Sequence, residues 1–117
     1  MIRKHGHISP TLVACMTGRP ASEVASLARE EEAKAMRDRD AEVKYNIGAA
    51  LAQCGHSDLA SRLLKTAAEQ NYCAWPAMDK DPMLVSVRSR REFAAIRQAG
   101  IGCQKRFLAH RDAAKPR

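Results

Sequence analysis

The stretch YNIGAALAQCGHSDLA, residues 45–60, decides the fold of this chain. It places Gly48 inside a run of helical composition, where a glycine costs about 1 kcal/mol relative to alanine. Gly55 then interrupts the run, and a second apolar helical pattern follows. Because two helices approach closely only where side chains are small, the sequence predicts a tight helical hairpin in which Gly48 packs against Ala60 and Ala67 of the second helix.

The predicted hairpin has one helix over residues 41–53 and another over residues 59–70. Asp40 is placed to cap the first helix, and Ser57 or Asp58 is placed to cap the second. Apolar residues recur at helical spacing on one side of each helix: Val43, Ile47 and Leu51 on the first, and Leu59, Leu63, Leu64 and Ala67 on the second. A connection of a few residues predicts that the helices pack antiparallel.

The composition of the whole chain also favours a helical fold. The 117 residues suit a single small domain. The hydrophobic content is 45%, whereas aromatics contribute only 4% and no long Val/Ile/Thr alternation occurs, so an all-α fold is predicted. No apolar run reaches the ~20 residues of a membrane span, and no membrane partner is expected.

Cap and breaker residues predict the remaining helices. Ser9-Pro10 starts a helix over 10–16, a second covers 21–37, and Asp81-Pro82 opens a short helical turn through residue 87. The capping box from Ser89 to Glu92 predicts a helix to residue 99. Gly100 and Gly102 predict a break before a last helix at 103–113, with Phe107 and Leu108 directed inward. Residues 1–8 are expected to form a loose leader, 9–113 one helical domain and 114–117 a tail.

The hairpin region resembles a known family. Residues 41–74 resemble a single tetratricopeptide repeat, a helix–turn–helix unit of 34 residues. The matching positions are the Leu-Gly pair, the large residue after it, the turn glycine and the spaced small and large residues of the second helix: Ile47, Gly48, Leu51, Gly55, Ala60, Leu64 and Ala67. Lys44 departs from the pattern, because the family favours Trp there, and Tyr72 replaces the usual proline.

The segment after the repeat is similar to the closing segment of many bacterial tetratricopeptide proteins. DPMLVSVRSRREFAAI, residues 81–96, has the Asp-Pro start, Val87-Arg88 for a Leu-Arg pair, then Phe93 and Ile96. The resemblance implies a short α-solenoid of antiparallel hairpins with a degenerate C-terminal cap over 75–100.

The resemblance also implies a role. Members of the family bind a peptide or a helix of a partner protein in a groove lined by the first helix of each repeat. The groove residues implied here are Glu42, Tyr45, Asn46, Ala49 and Gln53. The chain is therefore expected to be a scaffold or adaptor that binds another protein. Because one repeat does not bury its own apolar face, association with further copies of the chain is an alternative that the sequence does not decide.

The distribution of charge indicates an alternative function. The net charge of the chain is +7, and residues 88–117 carry nine Lys/Arg against two Asp/Glu. The excess therefore lies in the last quarter of the chain, which includes the final basic helix at 103–113. The alternative function is nucleic-acid binding, in which the basic C-terminal helices contact the phosphates.

Enzymatic chemistry finds no support in the motifs. The sequence has no glycine-rich phosphate loop, G-x-S-x-G or H-E-x-x-H, so no catalytic residue, cofactor or metal site is assigned. The four cysteines, Cys15, Cys54, Cys73 and Cys103, are widely spaced without a C-x-x-C pair, which argues against zinc. They are expected to be buried thiols, as is typical of a cytoplasmic protein.

Overall fold

The computed structural model describes residues 8–70 and 75–114, and this part of the chain contains helices and no strand. The helices are α1 (Pro10–Met16), α2 (Ala21–Arg37), α3 (Ala41–Gln53), α4 (Ser57–Glu69), α5 (Trp75–Met78), a 3-10 helix (Pro82–Leu84), α6 (Val85–Arg88) and α7 (Phe93–Ala114). The all-α prediction is confirmed, and the bounds predicted for α1, α2 and α3 match those observed. The expected leader and tail, and the end of the repeat at 71–74, fall largely or wholly outside the described residues.

Local hydrogen bonds explain where the first helices start. The Ser9 hydroxyl accepts from the Leu12 N–H at 3.1 Å, and Pro10 occupies the first turn of α1. A carboxylate oxygen of Asp40 accepts from the Glu42 N–H at 2.9 Å at the start of α3. Both caps satisfy backbone donors that have no partner inside the helix.

The turn between α3 and α4 depends on Gly55, whose φ is +85°. The Gly55 N–H donates to the Ala52 carbonyl at 3.0 Å, and the His56 N–H donates to the Leu51 carbonyl at 2.9 Å. This is the paired ending that requires a left-handed residue after the helix. The predicted cap at Ser57 or Asp58 is wrong, because α4 already begins at Ser57 and His56 precedes it without a side-chain cap.

Gly48 lies where α3 crosses α4. A Cβ atom at this position would lie 3.3 Å from Cγ and Cδ2 of Leu64 and 3.4 Å from Cβ of Leu63. The glycine therefore lets α3 approach the leucines of α4, which explains why its low helix propensity is tolerated. The predicted neighbours Ala60 and Ala67 belong to the same buried helix, but the leucines make the contact.

The core is centred on α3 and α4, with α2 on one side and the closing segment from α5 to α7 on the other. Its fully buried members include Ala28, Leu51, Leu63, Leu64, Met78, Leu84 and Val87. Most of these come from the two predicted hairpin helices or from the closing segment. The body is thus held by packing between the hairpin and the segments that flank it.

Hydrogen bonds fix the closing segment. Asp81 caps the 3-10 helix by accepting from the Met83 N–H at 2.9 Å, as its sequence predicts. The Arg88 guanidinium donates to the backbone carbonyls of Met78 and Asp81 at 2.8 and 2.6 Å. The Ser86 hydroxyl donates to the Ala52 carbonyl at 2.9 Å and so joins this segment to α3. The expected loop before Asp81 also contains a short helix, α5.

The C-terminal helices differ from the prediction. Ser89 does not cap a helix: its hydroxyl donates to the Ser86 carbonyl at 2.9 Å, and α7 begins later, at Phe93. Neither Gly100 nor Gly102 interrupts α7, which runs unbroken to Ala114. Glycine lowers helix stability but does not stop a helix that packing supports, and buried Gly100 lies on the packed side of α7.

The prediction of buried free thiols is wrong for the three cysteines in the described part of the chain, because Cys15, Cys54 and Cys103 are all disulfide-bonded. Cys15 of α1 and Cys54 at the end of α3 form a disulfide, with Cα atoms 6.0 Å apart. Their separation of 39 residues hid this proximity from the sequence. Cytoplasmic location rested on free thiols, and it stays a prediction that these three cysteines do not support.

Candidate functional site

A groove of about 610 Å³ is the main concave feature considered as a binding site on the described residues. It is bounded by the start of α1, the second half of α2, one face of α3 and the 3-10 helix. Its lining residues are Ile8, Ser9, Pro10, Leu12, Glu31, Lys34, Ala35, Asp38, Val43, Asn46, Ile47, Ala50 and Met83. This volume falls in the range of ordinary ligand sites in proteins.

Glu31 of α2 holds α1 in place as one wall of the groove. Its Oε1 atom accepts from the Ser9 hydroxyl at 2.5 Å and from the Thr11 N–H at 2.8 Å. At the other end of α1, the Cys15–Cys54 disulfide joins the helix to α3. A helix of seven residues would not be stable alone, so these contacts are what keep the wall formed.

The floor of the groove comes from α3. Val43, Ile47 and Ala50 recur at helical spacing and supply apolar surface, and Met83 adds to it from the closing segment. Asn46 lies between them and is exposed. The floor is therefore mostly aliphatic, with one amide available for hydrogen bonding.

Polar groups cluster around the end of α2. Asp38 and Lys34 line the groove there. The backbone carbonyl of Asp38 accepts a hydrogen bond from the ammonium of Lys44, an α3 residue whose side chain is fully buried. Lys44 thereby fixes the turn between α2 and α3. It stands at the position where the tetratricopeptide family favours Trp.

Tyr45 and Ala49 do not line a groove, so this part of the predicted site is wrong. They are 7% and 4% exposed and belong to the core. The Tyr45 phenol donates to Asp81 at 2.9 Å. The closing segment thus covers the face of α3 on which these two residues lie.

The other three predicted groove residues are exposed, but only one lies in the groove. Asn46 lines it, whereas Glu42 and Gln53 do not. Relative to the predicted face, the actual groove is rotated about a quarter turn around α3. Sequence reasoning missed the walls from α1 and α2, and its only signal for them was the helix cap at Ser9.

A smaller cavity of about 280 Å³ lies at the start of α4. Its charged lining includes Arg62 and Asp58. These are paired elsewhere on the surface: Arg62 with Glu32 at 3.1 Å, and Asp58 with Arg90 at 3.0 Å. Because these two charged side chains already have partners, we assign no function to the cavity.

Three of the nine basic residues in the C-terminal quarter of the sequence lie on the second half of α7. Lys105, Arg106 and Arg111 are all exposed. Phe107 and Leu108, which were expected to point inward, are 60% and 36% exposed. This part of α7 combines basic and apolar side chains on an open surface.

No protein-family model, curated protein or solved structure matches this chain. Within residues 8–70 and 75–114, no helix combines the length and the apolar character needed to cross a membrane.

Proposed function

We propose that this chain is a non-enzymatic protein-binding module, a short tetratricopeptide-like scaffold that holds a peptide or helix of a partner protein. The groove between α1, α2 and α3 carries this proposal, because it joins aliphatic floor residues to a few polar groups at its edge. Protein-binding grooves commonly combine these two features.

Three local features of the structure are consistent with the resemblance to tetratricopeptide repeats. Gly48 meets Leu64 at the crossing of the hairpin, as a repeat with a small residue at this position requires. Gly55 makes the turn with positive φ. Arg88, which matches the Leu-Arg pair of the closing segment, binds two backbone carbonyls that hold this segment together.

The chemistry of the groove indicates its ligand. Val43, Ile47 and Ala50 offer space for one or two aliphatic side chains. The side-chain amide of Asn46 can form hydrogen bonds with a backbone amide of the ligand. An extended peptide needs such partners, because its backbone groups are not paired within a sheet or a helix. The acidic and basic groups at the end of α2 suit the mixed polar rim of such a peptide.

The test selects peptides from a random display library against the whole chain and maps the best binder by NMR chemical-shift changes. We expect the shifts to cluster at Val43, Asn46 and Ile47. Asn46→Arg should weaken the selected peptide about tenfold by filling the groove. Gln53→Arg is the matched control, since it adds the same side chain to an exposed site on the same helix outside the groove.

Two outcomes would contradict the proposal. One is a selected peptide that maps away from the groove and binds the Asn46→Arg variant normally. The other is the absence of any peptide that binds more tightly than ~1 mM.

A further inference from the structure

The packed face of α7 continues beyond the body of the protein. Phe93, Ile96, Gly100 and Cys103 are buried at intervals of three or four residues. This face of α7 packs chiefly against α4. The next position on the same face is Phe107, four residues after Cys103, and it is 60% exposed.

The helix leaves the body after Cys103. Residues 105–113 are all exposed, and the helical part beyond Cys103 extends roughly 16 Å. We call residues 104–114 the α7 extension. Since most of a helix's stability comes from tertiary packing, an extension with an open aromatic position suits a surface that another molecule covers.

Charge indicates the nature of that molecule. The extension carries Lys105, Arg106 and Arg111 against Asp112, and only Arg111 contacts that aspartate, at 3.6 Å. At 100° per residue, Arg111 lies about 40° and Arg106 about 100° around the helix from Phe107. Asp112 and Lys105 lie about 140° and 160° away, on the far side of the helix. The surroundings of Phe107 are therefore basic.

We propose that the α7 extension binds an acidic amphipathic helix of a partner protein. Phe107 and Leu108 provide the apolar anchor, and Arg106 and Arg111 pair with Asp or Glu side chains that flank the partner's apolar stripe. The helix-on-helix geometry follows from the spacing, because a regular helical face fits the ridges of another helix.

The observations favour this partner over two others. A nucleic acid would use the positive charge but not the aliphatic Leu108, and the extension carries few phosphate-binding groups and one aromatic for stacking. A second copy that met the same face about a two-fold axis would bring the basic residues of both chains together. The extension shares no residue with the groove, so this interaction is independent of the proposed function.

The experiment measures binding of the whole chain by fluorescence anisotropy. The probe is a labelled peptide of about five helical turns, with leucines at i, i+3 and i+4 spacing and glutamates at all other positions. A peptide with lysine in place of each glutamate and a single-stranded oligonucleotide serve as competing probes. We expect the chain to bind the acidic peptide and not the lysine peptide.

Variants then locate the surface. Phe107→Ala should weaken the acidic peptide about tenfold. Val85→Ala is its matched control, because Val85 is also 60% exposed and lies on α6, and it should bind normally. Arg106→Glu combined with Arg111→Glu should abolish binding at low salt, whereas the same charge change at exposed Arg39 and Lys80 should not.

Three results would overturn the proposal. These are no binding of the acidic peptide up to ~1 mM, equal binding by the wild type and Phe107→Ala, and preferential binding of the oligonucleotide. Sedimentation of the wild type and the Phe107→Ala variant supplies a fourth, since a dimer lost in the variant would assign the surface to a second copy. Phe107 is exposed, so the variant should keep the helical circular dichroism and melting temperature of the wild type.

Discussion

The phenol of Tyr45 donates a 2.9 Å hydrogen bond to Oδ2 of Asp81, 36 residues further along the chain. The other oxygen of the same carboxylate accepts from the Met83 N–H and caps the 3-10 helix. One aspartate thus orders the closing segment and joins it to α3. Tyr45 is 7% exposed and belongs to the core, so it is not part of an open groove.

Tyr45→Phe should destabilise the fold by about 1–2 kcal/mol, because it removes a hydrogen bond to a carboxylate. Tyr45→Ala should cost about 3–5 kcal/mol, since it also leaves a cavity in the core. Chemical denaturation measures both values. Asn46→Ala is the control on the next, exposed position and should change stability little. If Tyr45→Ala were as stable as the wild type, the burial of this side chain would be wrong.

Gly48→Leu should destabilise the hairpin by roughly 1–3 kcal/mol through overpacking. Gly48→Ala sets two effects against each other: the gain in helix propensity of about 1 kcal/mol and the need for Leu64 to move a few tenths of an ångström. We therefore expect Gly48→Ala to be close to neutral and Gly48→Leu clearly less stable. Equilibrium urea unfolding of the two variants checks this order, and a leucine variant at least as stable as the wild type would contradict it.

Removing the Cys15–Cys54 disulfide should lower the free energy of unfolding by up to about 4 kcal/mol, the entropy expected for a closed loop of this length. The comparison is between the wild type and Cys15→Ser/Cys54→Ser, each under oxidising conditions. The double variant should also lose protection of the α1 amides in hydrogen exchange, because the disulfide is one of the contacts that hold α1. Unchanged protection would show that Glu31 suffices to hold the helix.

Two serines with different hydrogen bonding should respond differently to alanine. The Ser61 hydroxyl is buried without a hydrogen-bond partner, so Ser61→Ala should be neutral or stabilising. The Ser86 hydroxyl donates to the Ala52 carbonyl, so Ser86→Ala should cost about 1 kcal/mol. Thermal unfolding of both variants tests the contrast, and equal losses of stability would refute it.

The turn before α7 should give a measurable acid titration. A hydrogen bond from the Arg90 side chain lowers the pKa of Glu92. A carboxyl group whose pKa is lower in the folded state than in the unfolded state stabilises the fold at pH values above its unfolded pKa. This contribution to the free energy of unfolding is lost as the pH falls through the folded pKa. NMR titration should show the Glu92 pKa rising in Arg90→Gln. An unchanged pKa in that variant would place the cause elsewhere in the turn.

The sequence by itself determined the elements whose signals are local. Caps at Ser9, Asp40 and Asp81 satisfy backbone donors within a few residues, and Gly55 satisfies a backbone angle at its own position. The bounds of α1, α2 and α3 and the tight crossing at Gly48 followed from such signals. Helical periodicity also identified most of the core, because burial on one side of a helix leaves a period of 3.6 residues.

Tertiary structure decided which face of each helix stays open. Tyr45 and Ala49 were expected in the groove, and the closing segment covers them. Phe107 was expected in the core, and it is 60% exposed on the part of α7 beyond Cys103. Pairing of Cys15 with Cys54 likewise required the fold. Each of these outcomes depends on contacts between segments far apart in sequence, and no pattern within a single helix encodes which distant segment will cover it.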